Sequence, residues 1–238
     1  MTLAEAIADA LRRSHVRLTT AVPGHGATQT YEAWKRGGEP TPPFSFHEEV
    51  AVGMAHGAAL LGHRSAVLLK AHGFLKAANA IADSLAAGTT AGFLFVVFHD
   101  PTGAHSDSIL EIEGAARELG LPVHRPEASQ RLPALRKALR YSESYGLSHL
   151  VILNADAVSE EVPEPPDALS PRQWNMSGTW PGTCAAPSSP SISTMSYGHG
   201  STGAIPTPCR AHPCPRSPTN CPTNIGPSRH SMSRSSRP

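Results

Sequence analysis

Glu48 stands where an apolar segment, Phe44-Ser45-Phe46, runs into a helix of small residues that ends at Gly62. The segment predicts a short strand, so the carboxylate is delivered to the first turn of a helix. Two roles are open to it. A carboxylate at a helix N-terminus is favoured by the helix dipole and can serve as a cap. An acid held between an apolar strand and a tightly packed helix can also share a proton with a ligand nitrogen, which suits general acid–base work. Glu49 points elsewhere on the helix and reads as solvated. Imidazoles recur nearby at His25, His47, His56, His72, His99 and His105. None stands at metal-ligand spacing with a partner, so no metal held by this chain is predicted. His25, His99 and His105 are candidate substrate ligands or proton carriers; the bland reading is that they bond loop backbone. Gly53 and Gly57, four apart on one helix face, imply close packing of two helices, either inside the domain or between subunits.

The elements that must position these residues alternate. Leu3 to Leu11 reads as a helix with Thr2 as N-cap, and Val16 to Val22 as a strand ending in the tight turn Pro23-Gly24-His25-Gly26. A short helix over Thr28 to Lys35 and a loop to Pro43 lead to the Glu48 helix. Strand Ser65 to Lys70 runs into Ala71-His72-Gly73, followed by a helix from Phe74 to about Ala86. The near-continuous apolar run Ala91 to Phe98 fits a strand covered on both faces. It ends in His99-Asp100-Pro101. Helix Ile109 to Leu119, strand Leu121 to His124, helix Arg131 to Ser144 and strand His149 to Leu153 complete the pattern. This predicts a three-layer α/β/α fold with a six-stranded, mainly parallel sheet. Ligands in such sheets sit at the strands' carboxyl ends. That rule places Pro23-Gly24, Glu48, His72-Gly73 and Asp100-Pro101 along one rim.

The pattern stops near Pro165. All 19 acidic residues lie at or before Asp167, whereas Ala168 to Pro238 carries arginine as its only charged residue type. The expectation is therefore a domain over residues 1–165 and a disordered, Pro- and Ser-rich tail over 166–238 that cannot bury enough surface to fold. Abrupt loss of Asp, Glu and Lys also fits translation of a GC-rich gene in a shifted frame. A zinc site from Cys209, His212, Cys214 and Cys221 is conceivable there but has no fold signal. The acidic first part carries no footprint for nucleic acid. No apolar run is long enough to span a bilayer, and the N-terminus lacks an apolar signal core, so a cytoplasmic protein is expected.

The segment His47-Glu48-Glu49-Val50-Ala51-Val52-Gly53-Met54-Ala55-His56-Gly57 resembles the E-x-x-A-x-x-x-A-x-G motif in the pyrimidine-binding (Pyr) domain of thiamin-diphosphate enzymes. Leu69 to Ala80, around His72-Gly73, is similar to that domain's second glycine-containing loop and helix. Val97 to Ser106 is similar to the D-D-P-x-x-H-S loop of indolepyruvate:ferredoxin oxidoreductase large subunits. The Glu48 and Gly73 segments also resemble the small subunit of sulfopyruvate decarboxylase. The similarity runs over roughly residues 3–160, in family order.

The resemblance implies thiamin diphosphate as cofactor and a 2-oxo acid decarboxylase or oxidoreductase as the activity. It implies that Glu48 is catalytic, hydrogen-bonding pyrimidine N1′ and favouring the imino tautomer. His72 and Gly73 would flank the pyrimidine, with Pro23 and Gly24 edging the substrate side. It further implies a partner domain or subunit carrying Gly-Asp-Gly, which binds the diphosphate through magnesium, in a homo- or hetero-oligomer; no Gly-Asp-Gly occurs here. On this reading the chain is inactive alone. Leu75 and Lys76 stand where sulfopyruvate decarboxylase-like chains have glycine and asparagine, and His99 stands where the oxidoreductases have aspartate. The alternative is a non-catalytic α/β module that binds a ligand or another subunit.

Overall fold

The computed structural model describes residues 1–170 apart from Pro40, Ser108, Pro166 and Asp167. Of the tail expected to be disordered over 166–238, residues 168–170 are described and pack on the domain, a correction to that boundary; the rest of it, with the zinc ligands, lies outside the described residues. Helix α1 (Leu3–Arg13) opens on a capping box. The Thr2 hydroxyl accepts from the Glu5 N–H, and the Glu5 carboxylate accepts from the Thr2 N–H, satisfying two otherwise orphaned donors. Then follow β1 (Leu18–Ala21), α2 (Ala27–Lys35), α3 (Glu48–Leu60), β2 (Ser65–Lys70), α4 (Ala71–Lys76) and α5 (Ala78–Ala87). Strand β3 (Phe93–His99), α6 (Glu113–Glu118), β4 (Val123–His124), α7 (Arg131–Tyr145) and β5 (His149–Asn154) complete the order.

The five strands lie in the order β1-β2-β3-β5-β4, and every pair is parallel. The period of two along each strand assigns its side chains to two cores. Ala66, Leu68, Leu94, Val96, Phe98, Val151 and Leu153 pack with α1, α2 and α7. Val67, Leu69, Phe93, Phe95, Val97, Leu150 and Ile152 pack with α3, α4, α5 and α6. All of β3 is buried, as its unbroken apolar run requires. The three-layer α/β/α arrangement is thus observed. The packed chain continues to the last described residues: Leu169 is buried against the α1 layer and its N–H bonds the Arg13 carbonyl.

The sheet has five strands rather than six. Residues Phe44 to His47 make one ladder-like bond, from the Ser45 N–H to the Ala21 carbonyl at 2.9 Å, and then turn away. Pro42 and Pro43 lack the N–H groups that would extend the pairing. Phe44 packs against the core, whereas Phe46 is 93% exposed. The second correction is that His72 and Gly73 are not in a loop: the chain passes from Lys70 directly into α4. The third is that α6 begins at Glu113, because the Glu111 carboxylate accepts the Glu113 N–H and opens the helix there.

A buried ion pair fastens α7 to the sheet. Arg64, at the start of β2, donates from Nε and Nη2 to both oxygens of Glu143 on α7, at 2.7 and 3.0 Å. Its Nη1 reaches the carbonyls of Ser14 and Ser170. Removing one partner of such a pair leaves its fellow desolvated. Arg64→Met should therefore lower the unfolding free energy by about 3 kcal/mol in urea titrations, with partial recovery when Glu143→Leu is added. An unchanged midpoint would contradict this.

Candidate active site

The path of the chain between β1 and β2 brings Glu48 to the rim. Helix α2 packs on one face of the sheet and α3 on the other, so residues 36–47 pass around the free edge of β1. The Thr20 hydroxyl then donates to the Ala51 carbonyl at 2.8 Å, fixing the first turn of α3 against β1. His47 is the N-cap and makes no side-chain cap bond, so Glu48 is the first helical residue rather than the cap. Its side chain is buried, and its Oε2 has no hydrogen-bond partner. The Lys76 ammonium lies 3.2 Å from Oε2, an ion-pair distance reached without hydrogen-bond alignment.

Gly73 closes this pocket from α4. A Cβ built at Gly73 would stand 3.1 Å from Glu48 Cγ and 3.4 Å from Oε1, tighter than ordinary van der Waals contact. Bare backbone at 73 is therefore what lets the carboxyl lie where it does. His72, one residue earlier, is half-buried in the first turn of α4.

A second cluster sits over the turn that follows β1. Pro23 is exposed. Gly24 lies under the Lys70 stem, where an added Cβ would meet Cγ and Cδ at 2.5 Å. Lys70 Nζ donates onward to the His105 carbonyl at 2.6 Å. The His25 and His105 rings stack with centroids 3.6 Å apart. The Gln29 side-chain oxygen accepts from the Gly26 N–H, so its nitrogen faces His25 Nδ1 as donor, and neutral His25 carries its proton on Nε2. Burial, with the neighbouring His105 second, holds His25 below the usual histidine range. The other face of His105 meets Asp156, Nε2 to Oδ1 at 3.3 Å.

Asp100 organises the loop that carries His105. Its Oδ2 accepts the His105 N–H at 2.8 Å and its Oδ1 the Thr102 hydroxyl at 3.2 Å. Burial alone would raise this carboxyl. Hydrogen bonds from the His105 N–H, the Ser106 and Thr102 hydroxyls and the Gly103 N–H outweigh it and hold the group at about 2. His99 stands apart from this cluster. It is buried at the end of β3, with Nε2 3.9 Å from a Glu111 carboxylate oxygen.

The structure thus joins Glu48 to Gly73, and His25 to His105, as two clusters built on different elements. Lys76, Lys70, Gln29 and Asp156 were missed from the sequence. Asp156 was within reach of the carboxyl-end rule, since it follows β5 as Asp100 follows β3. Gly53 and Gly57 have no atom within 4 Å of an added Cβ. Among the described residues no helix packs on that face. Nor do any three His, Cys, Asp or Glu side chains among the described residues gather as a metal site.

A parallel α/β/α domain with a buried carboxyl at the carboxyl-end rim of its sheet is the class that this fold and site define. Comparison with known proteins specifies it. Residues 1–111 match the family model described as the thiamine pyrophosphate enzyme N-terminal TPP binding domain. Over its motifs the chain resembles the Pyr domain of thiamin-diphosphate enzymes, as the Glu48 and Gly73 segments imply. Among solved structures it is similar to 2-oxoglutarate:ferredoxin oxidoreductase from Magnetococcus marinus, determined with 2-oxoglutarate, coenzyme A and succinyl-CoA bound. The TM-score is 0.63 at 15% identity, covering 76% of this chain. The match spans 34% of that protein, about a third of its length. No curated protein matches the sequence.

The Asp100 cage makes the loop acid-sensitive in a defined sense. Its folded value lies below the ordinary carboxylate value of 3.8, so its stabilisation is complete above about 4 and is lost as pH falls towards 2. Amide exchange at His105 should therefore speed up over that window, beyond the intrinsic rate, and Asp100→Asn should remove the dependence. An identical profile in the variant would refute the cage.

Proposed function

We propose that this chain is the pyrimidine-binding half of a thiamin-diphosphate-dependent 2-oxo acid decarboxylase or oxidoreductase, completed by a diphosphate-binding partner. One observation carries the reading: a buried carboxylate whose Oε2 has no hydrogen bond lies against a glycine at which even a Cβ would crowd it. A ring nitrogen that shares a proton with the carboxyl fits that setting, because the N–H···O bond satisfies the oxygen, and glycine at 73 keeps side-chain atoms off the carboxyl. The family match over residues 1–111 includes both residues.

In this reading Glu48 holds the pyrimidine N1′ and shares a proton with it. Gly73 and His72 flank the ring. Pro23 and Gly24 edge the substrate side, with His25 and His105 facing the 2-oxo acid; His99, buried at the end of β3 and apart from them, acts at most from behind that cluster. Bound thiamin diphosphate supplies the electron sink for loss of carbon dioxide. The chain's own contribution is proton sharing, orientation and exclusion of water. Magnesium belongs to the partner, which carries Gly-Asp-Gly. The Pyr-type domain comprises residues 1–165 together with residues 168–170, which pack on it. A cytoplasmic location belongs to the same reading; among the described residues no helix is long and apolar enough to cross a membrane.

The need for a partner has its own support. Phe46, Val50, Met54 and Leu61 are exposed, and Gly53 and Gly57 lie between them in the α3 sequence. An apolar stripe of this kind marks an interaction surface. It begins two residues before Glu48, and a diphosphate-binding subunit seated on it would close the cofactor site.

Calorimetry with thiamin diphosphate, magnesium and a Gly-Asp-Gly partner subunit tests this. Tight, magnesium-dependent binding of the diphosphate should require both chains, while the pyrimidine moiety alone binds this chain weakly. Glu48→Gln should lower turnover of a 2-oxo acid by about 100-fold or more, the usual scale of a lost acid–base group. Turnover that depends on an electron acceptor identifies an oxidoreductase; turnover without one identifies a decarboxylase. Equal turnover with Gln at position 48 would leave a ligand-binding module in place of the catalytic assignment.

A further inference from the structure

Glu48 already has a suitor. The Lys76 ammonium stands 3.2 Å from Oε2, the buried oxygen that has no hydrogen-bond partner. Helix α4 sets both of its neighbours: Gly73 and Lys76 are three residues apart, so they share one face of the helix above the carboxyl. Gly73 presents bare backbone near Oε1, and Lys76 presents a cation at Oε2. The Lys76 side chain is 63% exposed while that of Glu48 is 11% exposed. The cation therefore sits on a flexible stem at the mouth of the pocket, with water as an alternative partner, whereas the carboxylate has nowhere else to turn.

We propose that Lys76 is an internal competitor for the cofactor site: it occupies Glu48 Oε2 in the free domain and must swing out before a pyrimidine ring nitrogen can take that oxygen. The inference rests on the reading of Glu48 given above and adds a residue that sets affinity for the ring. It also gives a physical role to a position where the chain departs from the sulfopyruvate decarboxylase-like pattern. Because the ammonium is largely solvated, the pair is worth no more than about 1 kcal/mol, which corresponds to about fivefold in ring affinity. Salt weakens such a pair, so the competitor loses ground as ionic strength rises, while a neutral ring is little affected.

The test uses the full chain and the free pyrimidine 4-amino-5-hydroxymethyl-2-methylpyrimidine, titrated by NMR. Lys76→Met should bind it about fivefold more tightly than the natural chain. Lys76→Arg, which keeps the cation, should remain close to the natural chain. Raising salt should tighten binding to the natural chain and leave Lys76→Met unchanged. Glu48→Gln should weaken binding in both backgrounds. If Lys76→Met, shown folded by its amide spectrum, binds no more tightly, the competition is refuted while Glu48 keeps its role. If Glu48→Gln binds as well as the natural chain, or no variant binds the ring, the reading of Glu48 fails and this inference falls with it.

Discussion

The site depends on keeping one carboxylate out of water without a hydrogen bond to its Oε2. Desolvating an ionised carboxyl is costly unless a partner compensates. Here the compensation is incomplete: a single ammonium, held at the pocket mouth, faces Oε2 of Glu48. The fold tolerates this because the surroundings are fixed. The Thr20 hydroxyl holds the Ala51 carbonyl, and Gly73 offers backbone where any side chain would press on the carboxyl. In the function proposed above, a ligand donor completes this acceptor.

The parallel sheet explains why the other candidate residues gather at the same rim. With every strand running in one direction, each strand ends on the same side, and the segments that follow Ala21, Lys70, His99 and Asn154 are neighbours. Lys70 then ties two of them together, with its stem on Gly24 and its ammonium on the His105 carbonyl. Asp100 and Asp156 hold His105 from two further sides. The result is a fastened loop over the turn after β1, with a neutral imidazole of defined tautomer beneath it.

Much of this was legible in the residues. The apolar run of β3 fits a strand buried on both faces, and Thr2 as N-cap announced the start of α1. The Glu48 and Gly73 segments resembled one family's motifs, and in the fold an added Cβ at Gly73 would crowd the Glu48 side chain. What was not legible has physical causes. Phe44 to Phe46 has a strand's composition, yet its pairing depends on hydrogen bonds that the preceding prolines cannot extend. Gly73 reads as a helix breaker, and local propensity is overruled because the close approach to Glu48 needs a glycine within α4. Lys76, Asp156 and the Arg64–Glu143 pair are single charges whose partners lie far off in sequence or on another element. No local pattern marks them, so only the folded chain reveals what each one meets.

The central claim is that Glu48 receives a pyrimidine nitrogen beside Gly73. A crystal structure of this chain with a Gly-Asp-Gly partner, magnesium and thiamin diphosphate tests it most directly. The account predicts a carboxyl oxygen of Glu48 within hydrogen-bond reach of N1′, about 2.6–3.2 Å, with the ring against the Gly73 backbone. A pyrimidine seated elsewhere, with Glu48 still paired to Lys76, would contradict it.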